Sequence, residues 1–236
     1  MSQRQIEIRM DPSTVEGLHG SGFLLYGFRA VRSRNRAARG LVLFARRDFS
    51  ATTFVRLESA FRGCTSYEPI VAGRQIRSGF SADLMPGQTL VFGDGGTGQA
   101  KGLGPVDALG FHNTGSRRMT CGVAERRAAE AVPYCAVPVF PGFAEAVSPT
   151  DKVLLIFSTT TLAPGTVVES LFELAAGGGS TVARRGASPG MLADLAAPGA
   201  RSLDFGLGSG WRWGDAPWAR PVSPTESLVP LLVEAG

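Results

Sequence analysis

Seven arginines, Arg29, Arg32, Arg34, Arg36, Arg39, Arg46 and Arg47, fall within 19 residues, and no acid stands among them. Guanidinium groups are planar and hold phosphate, sulfate or carboxylate through paired hydrogen bonds. Residues 32–39 join two apolar runs, so Arg32, Arg34, Arg36 and Arg39 are expected on one loop, where they could bind an anionic ligand. A plain solvated loop is the favoured competing reading, because runs of charge are usually solvated. Arginine also makes up 22 of the 24 basic residues, which reflects a GC-rich, bacterial-like composition more than one site. The formal net charge of +4 permits an anionic partner but is small for a dedicated nucleic-acid binder. The loop also lacks the interleaved aromatics that stack bases, so nucleic acid is disfavoured.

A second group with binding chemistry is Trp211-Arg212-Trp213-Gly214-Asp215-Ala216-Pro217-Trp218. In an extended segment Trp211 and Trp213 share a face, and such a platform, with Trp218 beside it, stacks sugars, bases or proline-rich peptides. The alternative, favoured because indoles dominate packing, is that all three anchor the segment onto the protein's own sheets.

Covalent and metal chemistry find less support. Cys121 and His112 are the one nucleophile–base pair to consider. A hairpin joining Val106–His112 to Met119–Val123, with Phe111 opposite Met119, turns their side chains to opposite faces. Cys121 and Cys135 are then expected as small buried hydrophobes. With Cys64 they make three cysteines, enough for one disulfide and without metal-like spacing. The two histidines, His19 and His112, form no His-x-x-x-His element, so neither metal nor cofactor is expected. The glycine-rich run from Gly93 to Gly104 resembles a phosphate-binding loop. However, Lys101 is followed by Gly102 and then Pro105 instead of Ser or Thr opening a helix, so a flexible connection is expected.

These groups need a scaffold, and the pattern of apolar runs points to strands. Val153–Phe157 is an unbroken apolar run of the kind a strand covered on both faces requires. Ala163-Pro164-Gly165 is a turn signal, and Thr166–Phe172 after it suggests a hairpin with that strand at the centre. Shorter runs recur about every ten residues: 5–10, 22–31, 41–45, 52–57, 67–71, 75–80, 89–92, 106–112, 119–123 and 134–140. Gly27, inside the second run, suggests a bulge or a close backbone approach. Pro138 suggests an edge or irregular strand. With 44% hydrophobic residues, 31 glycines and 15 prolines, the expected class is all-β. The expected architecture is a single antiparallel β-sandwich, jelly-roll or immunoglobulin-like, over residues 1–172.

Residues 173–236 are expected as a Gly/Ala/Pro-rich extension, with Met191–Ala197 a short helix and 211–236 a docking tail. Leu228, Val229, Leu231, Leu232 and Val233 need cover, and Pro230 favours an extended path. They are expected on an edge of the chain's own sheet or on a sister chain, which would give self-association.

The function expected from these features is a non-enzymatic binding protein that takes an anionic or carbohydrate ligand through its loops. One alternative is an enzyme whose acid–base groups, among Asp83, Asp94, Asp107, Glu125 and Tyr134, meet from several strands. Another is a membrane-active β-protein, with basic loops on anionic lipid and tryptophans at the interface. No apolar signal core opens the chain, and no window approaches the roughly 18 apolar residues of a membrane helix. A soluble, cytoplasmic protein is therefore expected, with leaderless export as the alternative.

Overall fold

The computed structural model describes residues 4–102, 104–127, 130–171, 190–196, 201–214, 216–223 and 225–236. The chain is all-β, with strands β1 (Gln5–Arg9), β2 (Leu24–Ser33), β3 (Arg39–Gly40), β4 (Phe44–Arg46), β5 (Thr52–Arg56), β6 (Phe61–Ser66) and β7 (Phe80–Leu84). There follow β8 (Thr89–Phe92), β9 (Gly98–Lys101), β10 (Leu109–Asn113), β11 (Met119–Arg127), β12 (Glu130–Pro133), β13 (Cys135–Val139) and β14 (Ala144–Ser158). The last strands are β15 (Gly190–Asp194), β16 (Ser202–Gly206), β17 (Gly210–Arg212), β18 (Ala219–Val222) and β19 (Val233–Ala235). Among the described residues, α1 (Pro12–Gly20) and α2 (Leu228–Leu232) join them. α1 opens on Pro12, whose missing amide donor costs nothing at the first helical position.

Among the described residues the strands form three sheets, in place of the two layers of a simple sandwich. One has the order β17-β16-β1-β5. The second runs β18-β15-β14-β10-β8-β9, with β2 also paired to β14 and carrying β4 and β19 along its own outer edge. The third runs β3-β13-β11-β6-β7, with β12 on β11. The long strand β14 is the hub: β10 pairs with its first residues, β15 with its second half, and β2 along most of its length. Its side chains alternate between two apolar clusters. Val153, Leu155 and Phe157 enter the larger one, and Leu154 and Ile156 the smaller. That two-sided burial explains five apolar residues in a row, each contributing roughly 1.5–3 kcal/mol where a large side chain is fully covered.

Three expected local features change. The turn at Ala163–Gly165 forms, with Gly165 at φ 84°, but 166–167 makes only single bridges to Leu41 and Gln75, so no hairpin with β14 results. β10 pairs with β14 and β8, and β11 with β13, β6 and β12, so the β10–β11 hairpin is absent as well. The glycine-rich 93–104 run is ordered through Lys101 by β9, which folds back on β8. Gly27 does mark a close approach, since a Cβ there would lie 2.2 Å from the Phe44 ring.

Several segments after residue 172 were expected to run outside the sheets. Gly177–Gly179 lies outside the described residues, but from residue 190 onward the chain returns into the sheets. β15, where a helix was expected, pairs with β14, β16 runs parallel to β1, and β19 runs parallel to β2. Leu228, Leu231 and Leu232 are buried in the smaller cluster with Tyr26, Phe28 and Ile156. They reach it from α2, and not from an extended segment. Ser227 caps this helix by accepting from the Val229 amide at 3.3 Å, and Pro230 stands in the first turn, where its missing donor costs nothing.

Candidate functional site

The residues with the strongest chemistry on paper are sealed inside. Arg29 lies on the inward face of β2 between Leu25 and Val31, and both it and Glu125 of β11 are fully buried. Its Nη1 donates to Glu125 Oε1 and to the Glu58 carbonyl, each at 2.7 Å, and its Nε donates to the Thr150 carbonyl at 3.0 Å. Asp151 stands 3.7 Å from its Nη2, and Arg4 closes on the same Asp151 at 3.1 Å. The guanidinium also sits 5.1 Å from the Phe61 ring centre and 5.5 Å from that of Tyr134. Of the five expected acid–base groups, only Glu125 and Tyr134 come together, around this arginine. Burial pushes the Tyr134 phenol well above its usual pKa, with the Arg29 charge pulling weakly the other way. Asp83 is exposed against Arg62, Asp94 is exposed against Ser116, and Asp107 is exposed.

The three cysteines are free thiols, and all are buried. Burial pushes the Cys64 pKa up to about 12 and raises those of Cys121 and Cys135 strongly. A thiol held this far from ionisation is a poor nucleophile at neutral pH. Among the described residues no three His, Cys, Asp or Glu side chains gather where a metal ion could bind.

The expected binding residues scatter. Arg32 reaches Glu234 of β19 at 3.4 Å. Arg34 and Arg36 are exposed beside a cleft of about 430 Å³ shared with Val229, Pro230 and Val233. Arg39 donates from Nε to Glu169 at 2.7 Å. Trp211 is buried, its ring centre 4.8 Å from Phe205 and 5.6 Å from Phe157. Trp213 and Trp218 pack partly on the same cluster, while Arg212 points to solvent. The tryptophans therefore anchor β17 and its surroundings.

A different arginine set lines the open surface. The segment 67–78, between β6 and β7, has clefts along its length. One of about 330 Å³ holds Arg39, Tyr67, Arg118 and Glu169, and one of about 300 Å³ holds Glu68, Arg74 and Arg77. The third, about 540 Å³, holds Gln75, Arg77, Ser78, Ser81 and Glu130, with Phe80, Pro133 and Pro164 as apolar walls. Glu68 lines the first two and Gln75 and Arg77 the last two, so they form one trough. Its path is fixed locally. The Arg77 amide donates to Glu68 Oε2 at 2.5 Å, Gln75 Nε2 donates to the Pro164 carbonyl at 2.8 Å, and Arg77 Nε leans on Gln75 Oε1 at 3.1 Å. The Arg74 and Arg77 side chains are exposed and have no carboxylate partner among the described residues. Sequence reasoning passed over these residues because Arg74 and Arg77 are distant from Arg118, and only the β6–β11 pairing brings them to one face.

Set against family models, curated proteins and solved structures, the chain matches none.

Proposed function

We propose that this chain is a non-enzymatic binding protein and that the trough along residues 67–78 takes an anionic carbohydrate. The observation that supports it is the lining. Exposed guanidiniums of Arg74 and Arg77 line adjoining clefts with hydroxyl and amide groups from Ser78, Ser81 and Gln75, an aromatic wall at Phe80, and the carboxylates of Glu68 and Glu130. Guanidinium forks suit sulfate and carboxylate, hydroxyl and amide groups suit sugar hydroxyls, and an apolar wall suits the sugar's C–H face. The buried thiols and the enclosed Arg29–Glu125 pair do not line this groove, and they favour binding over turnover as its role.

Calorimetric titration with a sulfated polysaccharide and with a neutral dextran tests this. Binding of the sulfated chain alone is expected, weakening as salt rises. Arg74→Ser with Arg77→Ser should lower affinity on the order of ten-fold, in line with losing two solvent-exposed ion pairs at roughly 0.7 kcal/mol each. Equal binding of both polymers, or none of either, overturns the proposal.

A further inference from the structure

The turn between β13 and β14 presents two phenylalanines to solvent. Phe140 is 52% and Phe143 65% exposed, on the four residues Phe140-Pro141-Gly142-Phe143. The turn is rigid. The Phe143 amide donates to the Phe140 carbonyl at 3.1 Å, proline sets the first corner, and Gly142 takes φ 74° at the second. Buried Asn113 ties it down from below. Its amide donates to the Phe143 carbonyl at 3.1 Å, and its carbonyl accepts from Gly142 at 2.8 Å. Its side chain donates to the carbonyls of Val139 at 3.1 Å and Arg117 at 2.7 Å. One buried residue thus fixes the aromatic tip and the neighbouring 113–118 loop together.

That loop brings charge to the tip. Arg118 lies over the Phe140 ring at 5.8 Å, and Arg117 is exposed beside it. Arg118 also shares a cleft with Tyr67, which is 60% exposed and is held by its hydroxyl on the Asp94 carbonyl at 2.5 Å. The arginine-rich 33–39 loop meets the same end through Asn35 Nδ2, which donates to the Pro138 carbonyl at 3.2 Å. Among the described residues the acids at this end are Asp94, whose carboxylate is engaged by the Ser116 amide at 2.6 Å, Glu145 at the start of β14, and Glu68 and Glu169 in the Arg118 cleft, where Glu169 holds Arg39. The exposed parts of the three aromatic side chains come to on the order of 350 Å², well below the roughly 800 Å² per partner of a stable protein interface. An area this small suits shallow insertion into a bilayer, where aromatic residues sit at headgroup depth and arginines meet anionic lipid.

We propose that the Phe140–Phe143 tip, flanked by Arg117 and Arg118, docks this protein on an anionic membrane surface. The test is co-sedimentation of the full chain with vesicles of phosphatidylcholine alone and of phosphatidylcholine with about 30% phosphatidylserine. Binding to the anionic vesicles alone is expected, reversed at high salt. Phe140→Ala with Phe143→Ala should reduce partitioning by on the order of ten-fold for each ring lost. Arg117→Ser with Arg118→Ser should reduce it roughly five-fold for each charge. Circular dichroism and a thermal melt check that the variants stay folded, and Arg74→Ser with Arg77→Ser should leave vesicle binding unchanged. Wild-type protein that ignores anionic vesicles, or a double phenylalanine variant that binds them as well as wild type, overturns the proposal. So does concentration-dependent self-association in sedimentation velocity that the same variant abolishes, because the tip would then belong to an interface between copies.

Discussion

Arg29 and the pair Arg74 and Arg77 are the same side chain under opposite conditions. Arg29 is fully enclosed, and its contacts come from Thr150–Asp151 of the second sheet, Glu125 of the third, and Glu58 in the segment after the first sheet's β5, with Arg4 reaching Asp151 from before β1. Arg74 and Arg77 stand in solvent on one loop. Burying a guanidinium is costly unless it is paired, and Arg29 is held by bonds from Nε and Nη1 and by the Glu125 carboxylate, while among the described residues Nη2 has no hydrogen-bond partner and Asp151 lies 3.7 Å from it. The exposed arginines are under no such demand, because water can meet their donors.

The contrast fails if the core does not depend on Arg29's surroundings, and the largest effect addresses those. A chain ending at residue 172 loses β15–β19, uncovering the β14 and β1 edges and the Tyr26–Ile156 cluster; it should show no cooperative unfolding transition in urea. Next, Arg29→Met should cost about 3–5 kcal/mol in chemical denaturation, because Glu125 is left buried without its cation. Changing Glu125→Leu in the same chain should recover most of that loss, since an apolar pair of similar volume avoids the desolvation penalty. If the single variant unfolds at the same denaturant concentration as wild type, the buried pair is not a structural centre.

A smaller effect lies at alkaline pH. The folded state holds the Cys64 thiol protonated up to about 12, while the unfolded chain ionises near the usual value of 9.0. Stability is therefore complete below the unfolded value and declines as pH rises through this window, by up to about 1.4 kcal/mol per pH unit for each such thiol. Melting temperatures followed from pH 8 to 11 should fall, roughly by that slope, and Cys64→Ala should flatten the decline. The smallest effect on stability belongs to Arg74→Ser with Arg77→Ser, expected within about 0.5 kcal/mol of wild type. Those two changes sharpen the contrast by altering binding alone.

The class was legible in the sequence because strand periodicity is local. Ile6 and Ile8 alternate inward on β1, Thr53 and Val55 on β5, and the Val153–Phe157 run marked the hub. Pairing was not legible, because adjacency in sequence suggested hairpins where β10 and β11 instead join different sheets. Glycine and alanine content made 173–236 look like a loose tail. What decides its strands, though, is the open edge of β14 that Gly190–Asp194 covers, and that edge belongs to another part of the chain. Arg29 stood in the arginine run with no mark to separate it from Arg32 or Arg34. Its position on the inward face of β2, in line with Leu25 and Val31, was the available signal. The Phe140-Pro141-Gly142-Phe143 turn was readable in the same way, as apolar residues flanking a tight corner.

The parallel pairing of β1 with β16 has a consequence for synthesis. The partners Ile8 and Leu203 are separated by nearly the whole chain, and at about 5–20 residues per second the second of them emerges roughly 10–40 s after the first. Throughout that interval β1 has β5 on one side and an unpaired edge on the other, and β2 waits still longer for β19. A nascent chain in this state carries open strand edges, the feature that recruits other strands into aggregates. Slowing translation or raising expression temperature should therefore lower the soluble yield, and ribosome-associated holding factors should matter more for this fold than for one built from local hairpins.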